Sequence, residues 1–123
     1  MTSSWTPVHF VSETDSVLDA ARLMTELDVE LLPVVDGDRT LKGVVVDHDI
    51  VAACVAHGED AGSTTVRSIM RERIAVDADL DLAAVPREMA EHATRTLPVV
   101  DDGRLVGVLK RGEVALALAH LQE

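Results

Sequence analysis

The hydrophobic positions of this chain change period several times, and the same succession of periods then runs a second time. From Ser16 onward, Val17, Ala20, Ala21, Met24 and Leu27 recur at three- and four-residue spacing, which is one face of an amphipathic helix. Ser16 followed three residues later by Asp19 predicts a capping box, the serine reaching forward and the aspartate back. Leu32-Pro33-Val34-Val35 is a short β-branched run ended by Asp36-Gly37, a turn signal, and Leu41 to Val46 is the returning strand. Ile50, Ala53, Cys54 and His57 begin a second helical face that stops at Gly58.

In the second half, Leu82, Val85 and Met89 form the first helical face. Leu97–Val100 and Leu105–Leu109 form the hairpin, and Val114, Ala117, Leu118 and Leu121 the last helix. Pro86 falls inside the first of these helices, where a missing N–H breaks a backbone bond, so that helix is expected to start late or to kink.

The echo extends to identity. LLPVVD at Leu31–Asp36 matches TLPVVD at Thr96–Asp101 with an offset of 65, and Met24 and Met89 each lie nine residues before Pro33 and Pro98. One residue is lost in the second turn, so Gly43 pairs with Gly107 at an offset of 64. A strand pair flanked by two helices buries one sheet face and is marginal alone, whereas two copies can bury their faces on each other. The expected fold is therefore α/β: two pseudo-symmetric repeats, each a short sheet flanked by two helices, packed around a central cleft of the kind small ligands favour. Residues 1–61 read as the first repeat with an N-terminal segment, 62–73 as a connector, and 74–123 as the second repeat.

Composition narrows the function. A hydrophobic share of 47% in 123 residues belongs to a packed globular domain and not to a disordered one. The net charge of −11 is uneven, with −9 in residues 1–66 and −2 in residues 67–123. Such a field repels nucleic acid and anionic lipid, and with Trp5 and Phe10 as the aromatic residues there is no stacking platform for bases. No apolar run reaches the length of about 18 residues that spans a bilayer. The N-terminus MTSSWTPVHFV lacks the basic start and apolar core of a secretory signal, and a lone Cys54 suits a reducing compartment. The expectation is a cytoplasmic protein without a nucleic-acid or membrane partner.

The doubled order of helix, LPVVD, turn, glycine with apolar residues and a following acid, then helix, with VRSIM between the copies, resembles a tandem pair of cystathionine-β-synthase (CBS) domains, the Bateman module. The resemblance covers roughly residues 8–121. It implies repeats around a cleft, assembly into disc-shaped homodimers, and a regulatory adenosine-containing ligand such as AMP, ADP, ATP or S-adenosylmethionine whose presence is reported to a protein partner. The family's ligand motif is glycine, two apolar residues, Thr or Ser, two variable residues and Asp. Its carboxylate can accept from both vicinal ribose hydroxyls, and its hydroxyl can meet a phosphate near a helix N-terminus.

Carried over by position, the first copy gives Gly43, Val44, Val45, Val46, Asp47, His48 and Asp49. It keeps the ribose acid as Asp49 and replaces the hydroxyl residue with Val46, a loss of about 1–3 kcal/mol to a phosphate-bearing ligand if nothing compensates. The second copy gives Gly107, Val108, Leu109, Lys110, Arg111, Gly112 and Glu113, with Lys110 in place of the hydroxyl and Glu113 in place of the aspartate. The resemblance also brings His48, Arg71, Arg73, Arg95 and Thr96 toward the ligand.

Each of these residues has a plainer reading. Asp49 can cap a helix opening at Ile50. Lys110 and Glu113, three apart at a helix start, can pair with each other, or Lys110 can meet a phosphate. The arginines and Thr96 can be surface residues, and Pro33 and Pro98 set edge-strand entries. Asp47-His48-Asp49 suggests a metal, yet consecutive residues point apart and no distant ligand completes the set. Cys54 with His57 is the pair an enzyme would use, but nothing marks an oxyanion hole, and a small buried cysteine is the simpler account. The sequence therefore predicts a non-catalytic sensor of an adenosine-containing ligand. The alternative is an interaction or dimerisation module whose nucleotide sites have decayed.

Overall fold

The structure, a computed structural model, describes residues 9–121; Trp5, with the rest of the N-terminal segment, and the side chain of Leu121 in the last helical face lie outside the described residues. Contacts divide the chain into two compact units, one spanning His9–Arg73 and the other taking in everything from Ile74.

In the first unit, β1 (Val11–Ser12) is followed by α1 (Val17–Leu27), β2 (Leu31–Val35), β3 (Leu41–Val46), α2 (Asp47–Val51) and α3 (Val66–Ile69). The second unit runs β4 (Val76–Asp77), a 3-10 turn at Leu82–Ala84, α4 (Val85–Glu91), β5 (Thr96–Asp101), β6 (Arg104–Lys110) and α5 (Arg111–Leu121). Each unit holds a three-stranded sheet, β1-β2-β3 or β4-β5-β6, in which the short strand lies parallel to the first arm of an antiparallel hairpin.

The repeat reaches the register. Val34 faces Gly43 as Val99 faces Gly107, and both hairpins carry a bulge at the next step, between Val34 and Val35 and between Val99 and Val100. The residue lost from the second copy is lost at the hairpin tip. Asp36 to Thr40 forms a loop in which the Asp36 carboxylate accepts from the Asp38 and Thr40 amides at 2.9 and 3.0 Å. Asp102-Gly103 instead makes a two-residue turn with both φ angles positive, the twist a tight hairpin needs. In the longer loop the left-handed residue is Arg39 at φ 65°, not the Gly37 that marks the turn in the sequence.

Ser16 caps α1 by accepting from the Asp19 amide at 3.0 Å, the forward half of the predicted capping box. In α4, Pro86 sits in the first turn, where its missing N–H has no partner to lose. The helix starts late, after the 3-10 turn, as the sequence requires. Both helices close alike: Val29 N donates to Met24 O and Thr94 N to Met89 O, with Asp28 and Ala93 in left-handed conformation between.

The cores match as well. Ala20, Met24, Leu32, Val34, Val45 and Val66 are buried together in the first unit; Val85, Met89, Leu97, Val99, Leu109 and Val114 are buried in the second. Val66 comes from α3, within the stretch read as a connector, and is fully enclosed by the first unit.

One helix differs from its expected form. It opens at Asp47 and not at Ile50, with Val46 in the cap position, and from Ala52 to Ala56 it widens into a π-type turn. Ile50 and Ala53 face inward, Cys54 is half-buried and His57 is exposed, so the inward face is shorter than its spacing predicts and the cysteine less buried. Val51 and Val55 are left 56% and 76% exposed.

Candidate functional site with a carboxylate in each repeat

In both units a strand runs into a helix without a loop, and one backbone bond fixes the junction. Asp47 N donates to Glu30 O at 3.0 Å, and Arg111 N donates to Arg95 O at 2.8 Å. The third residue of each helix is the acid of interest, Asp49 in one unit and Glu113 in the other. Since the helix begins at Asp47, Asp49 lies inside its first turn and does not cap it, which removes the capping explanation for this residue.

Asp49 is instead held by Arg71. The guanidinium donates from Nε to Oδ2 at 2.6 Å and from Nη2 to Oδ1 at 2.8 Å, a two-pronged pair across 22 positions of chain. The Arg71 backbone is fixed independently, its N–H donating to Val44 O at 2.8 Å and its carbonyl accepting from Val44 N at 3.1 Å. The same contact explains the glycine that opens the motif. A β-carbon on Gly43 would run into the Arg71 carbonyl oxygen and press on the Met70 sulfur. Hydrogen bonding from Arg71 is the largest influence on Asp49 and lowers its pKa below the usual value, while the carboxylate raises that of Arg71.

Glu113 is in the opposite condition. Its Oε1 is buried and, among the described residues, has no hydrogen-bond partner. Lys110, half-buried at the end of β6, does not pair with it, so the expectation that these two residues neutralise each other fails. A strand residue and a residue inside the following helix project differently, and spacing of three within one helix does not apply to them.

The remaining expected residues divide between the units. Val46, half-buried, ends β3 opposite Leu31, and His48 is exposed in the first turn of α2. Thr96 opens β5 opposite Lys110 and is 3% exposed; its amide donates to Thr94 Oγ1 at 3.2 Å, and its carbonyl accepts from the same hydroxyl at 2.9 Å. Arg73 and Arg95 are exposed. Thus Val46, His48, Asp49 and Arg71 belong to one unit, and Arg95, Thr96, Lys110 and Glu113 to the other. Thr94 was not singled out in the sequence, where nothing distinguishes it from a loop threonine.

Each unit also has a shallow hollow between its first helix and the helix after the hairpin. One, of about 370 Å³, is lined by Met24, Asp28, Asp47 and Ile50; its counterpart, of about 410 Å³, by Met89, Ala93, Arg95 and Arg111. Asp47 of the first is matched by Arg111 in the second, and Asp28 by Ala93. Among the described residues, no group of three His, Cys, Asp or Glu side chains could hold a metal ion, and no helix is long and apolar enough to cross a membrane.

A family model for the CBS domain matches residues 1–56 and again residues 66–120. The chain belongs to the CBS domain family. Relatives include Hypoxic response protein 1 of Mycobacterium tuberculosis, 34% identical over 117 residues that cover 94% of this chain and 80% of that protein. The CBS domain-containing protein YhcV of Bacillus subtilis is 36% identical over 112 residues, covering 90% of this chain and 79% of its own.

Among solved structures, Hypoxic Response Protein I with two coordinated zinc ions superposes with a TM-score of 0.82 at 31% identity, over 92% of this chain and 93% of that one. CBSX2 of Arabidopsis thaliana in complex with AMP gives a TM-score of 0.79 at 34% identity, over 97% of this chain and 95% of that one. The tandem CBS pair and the α/β architecture expected from the repeat both hold.

Proposed function

We propose that this CBS pair is a non-catalytic regulatory module that binds an adenosine-containing ligand, AMP, ADP, ATP or S-adenosylmethionine, and relays its presence through a homodimer or a protein partner. The observation that carries the reading is the buried, partnerless Oε1 of Glu113. An acceptor shut away from water without a donor costs about 1–3 kcal/mol, and a ribose hydroxyl is a donor of the right kind. Lys110, at the position of the family's hydroxyl residue, adds a cation for a phosphate. The AMP bound by CBSX2, at 34% identity, supports the choice of ligand class.

Regulation follows by population shift, in which the ligand binds one arrangement of the module more tightly than another. Exposed Val51, Val55 and Leu116 on the helices support self-association. A lone half-buried cysteine agrees with a cytoplasmic setting.

One observation favours the second reading, an interaction module with decayed sites: Val46 supplies no hydroxyl, and Asp49 is already occupied by Arg71. Thermal unfolding with AMP, ADP, ATP, S-adenosylmethionine and NADH at millimolar concentration separates the two. A ligand at about 100 times its dissociation constant adds roughly 2.7 kcal/mol, several degrees for a domain of this size. A shift that disappears in Glu113→Ala is the expected result. No shift with any of the five leaves the interaction module standing and removes the sensor.

A further inference from the structure

We propose that Arg71 competes for the first repeat's acid, so that each chain takes its first adenosine-type ligand at Glu113, and the Asp49 site fills only as the Arg71 guanidinium is withdrawn. The inference rests on the adenosine reading and adds to it a stoichiometry and an internal competitor. A carboxylate recognises a ribose by accepting from two vicinal hydroxyls, one on each oxygen. At Asp49 both oxygens are taken by the same guanidinium, at 2.6 and 2.8 Å. A diol would donate to the same ionised carboxylate, so its bonds are charge-assisted as well, and what sets it back is that it must first displace a guanidinium already bonded to both oxygens. The diol therefore binds more weakly at Asp49 than it would at the same acid left unpaired.

Nothing accidental places the guanidinium there. Two backbone bonds to Val44 fix the start of the Arg71 side chain, and the missing β-carbon at Gly43 permits that approach. In the second unit the acid one methylene longer, Glu113, has its Oε1 buried and unpartnered. The two copies of one motif thus stand in opposite states, one satisfied from within the chain and one awaiting a donor.

Adenosine, which has the diol and no phosphate, is the appropriate probe, since a phosphate could itself draw off Arg71. Calorimetric titration is carried out on the unmodified chain, Arg71→Ala, the double variant Arg71→Ala with Asp49→Ala, and Glu113→Ala. At adenosine concentrations that fill the tighter site, the expected stoichiometries are one, two, one and none. Arg71→Gln gives the same result as Arg71→Ala and serves in its place if the shorter side chain impairs folding, which the unfolding midpoint reports.

A stoichiometry that stays at one in both Arg71 variants, or binding that weakens in them, overturns the lock while leaving the adenosine reading intact. Two sites of equal affinity in the unmodified chain also overturn it. Absence of binding to all of these chains, with AMP as well as with adenosine, removes the adenosine reading and the lock together.

Discussion

The charge on Asp49 and the stability of the first unit are tied together by the fork of Arg71. Because the folded-state pKa of Asp49 is lowered, its contribution is fully present above the unfolded value of about 4 and is lost as pH falls through the folded value. Arg71 is half exposed, which holds the contribution to about 0.5–1 kcal/mol. Asp49→Asn should therefore unfold more easily than the unmodified chain at pH 7, and the gap should close as pH drops below about 4; parallel urea melts across that range measure it. A gap that persists unchanged at pH 2 would mean the loss comes from packing and not from charge. Gly43→Ala should be worse, by about 1–3 kcal/mol, because the Arg71 carbonyl oxygen is backbone and cannot step aside.

Gly43 and Asp49 were legible in the sequence because they belong to a motif with fixed spacing. Their partner Arg71 was visible only as one of several arginines near the ligand, since no periodicity links residues 22 apart. The buried Oε1 of Glu113 was not legible either: it depends on which way a side chain turns from a helix start.

The helices and hairpins were readable because each buries one face, and burial imposes a period of 3.6 or 2 on the apolar residues. The strands β1 and β4 escaped, as two residues are too few to show any period. The helix after the first hairpin was placed three residues late: the polar run Asp47-His48-Asp49 hides its first turn from any apolar pattern. Helix ends carry a separate signal. Ala93 terminates α4 at φ 50°, a conformation that costs a residue with a β-carbon about 1–2 kcal/mol. Part of that cost returns through the greater freedom of an unfolded glycine, so Ala93→Gly should stabilise by about 0.5 kcal/mol. The unfolding midpoint should rise by about 2–4 °C. The equivalent Asp28, at φ 54°, should gain less from the same change, as aspartate tolerates that region better than alanine.

For the whole molecule, the exposed valines at the end of α2 and in the π-type turn that follows it should govern self-association. Val55→Glu, at a position 76% exposed, leaves the core untouched and should lower the sedimentation-equilibrium mass toward that of a single chain. An unchanged mass would move the contact surface elsewhere. The two repeats give the chain matching registers and cores, yet one acid is answered internally and the other is not. The manner of that answer has a kinetic consequence. With the Arg71 backbone pinned to Val44, the part left to move is a half-exposed side chain, and exposed side chains change rotamer in picoseconds to nanoseconds. Opening is thus far faster than any ligand arrives. The arginine lowers the apparent affinity of its site by the fraction of time that site stands open, without delaying entry, so it acts as a setting of threshold concentration and not as a gate.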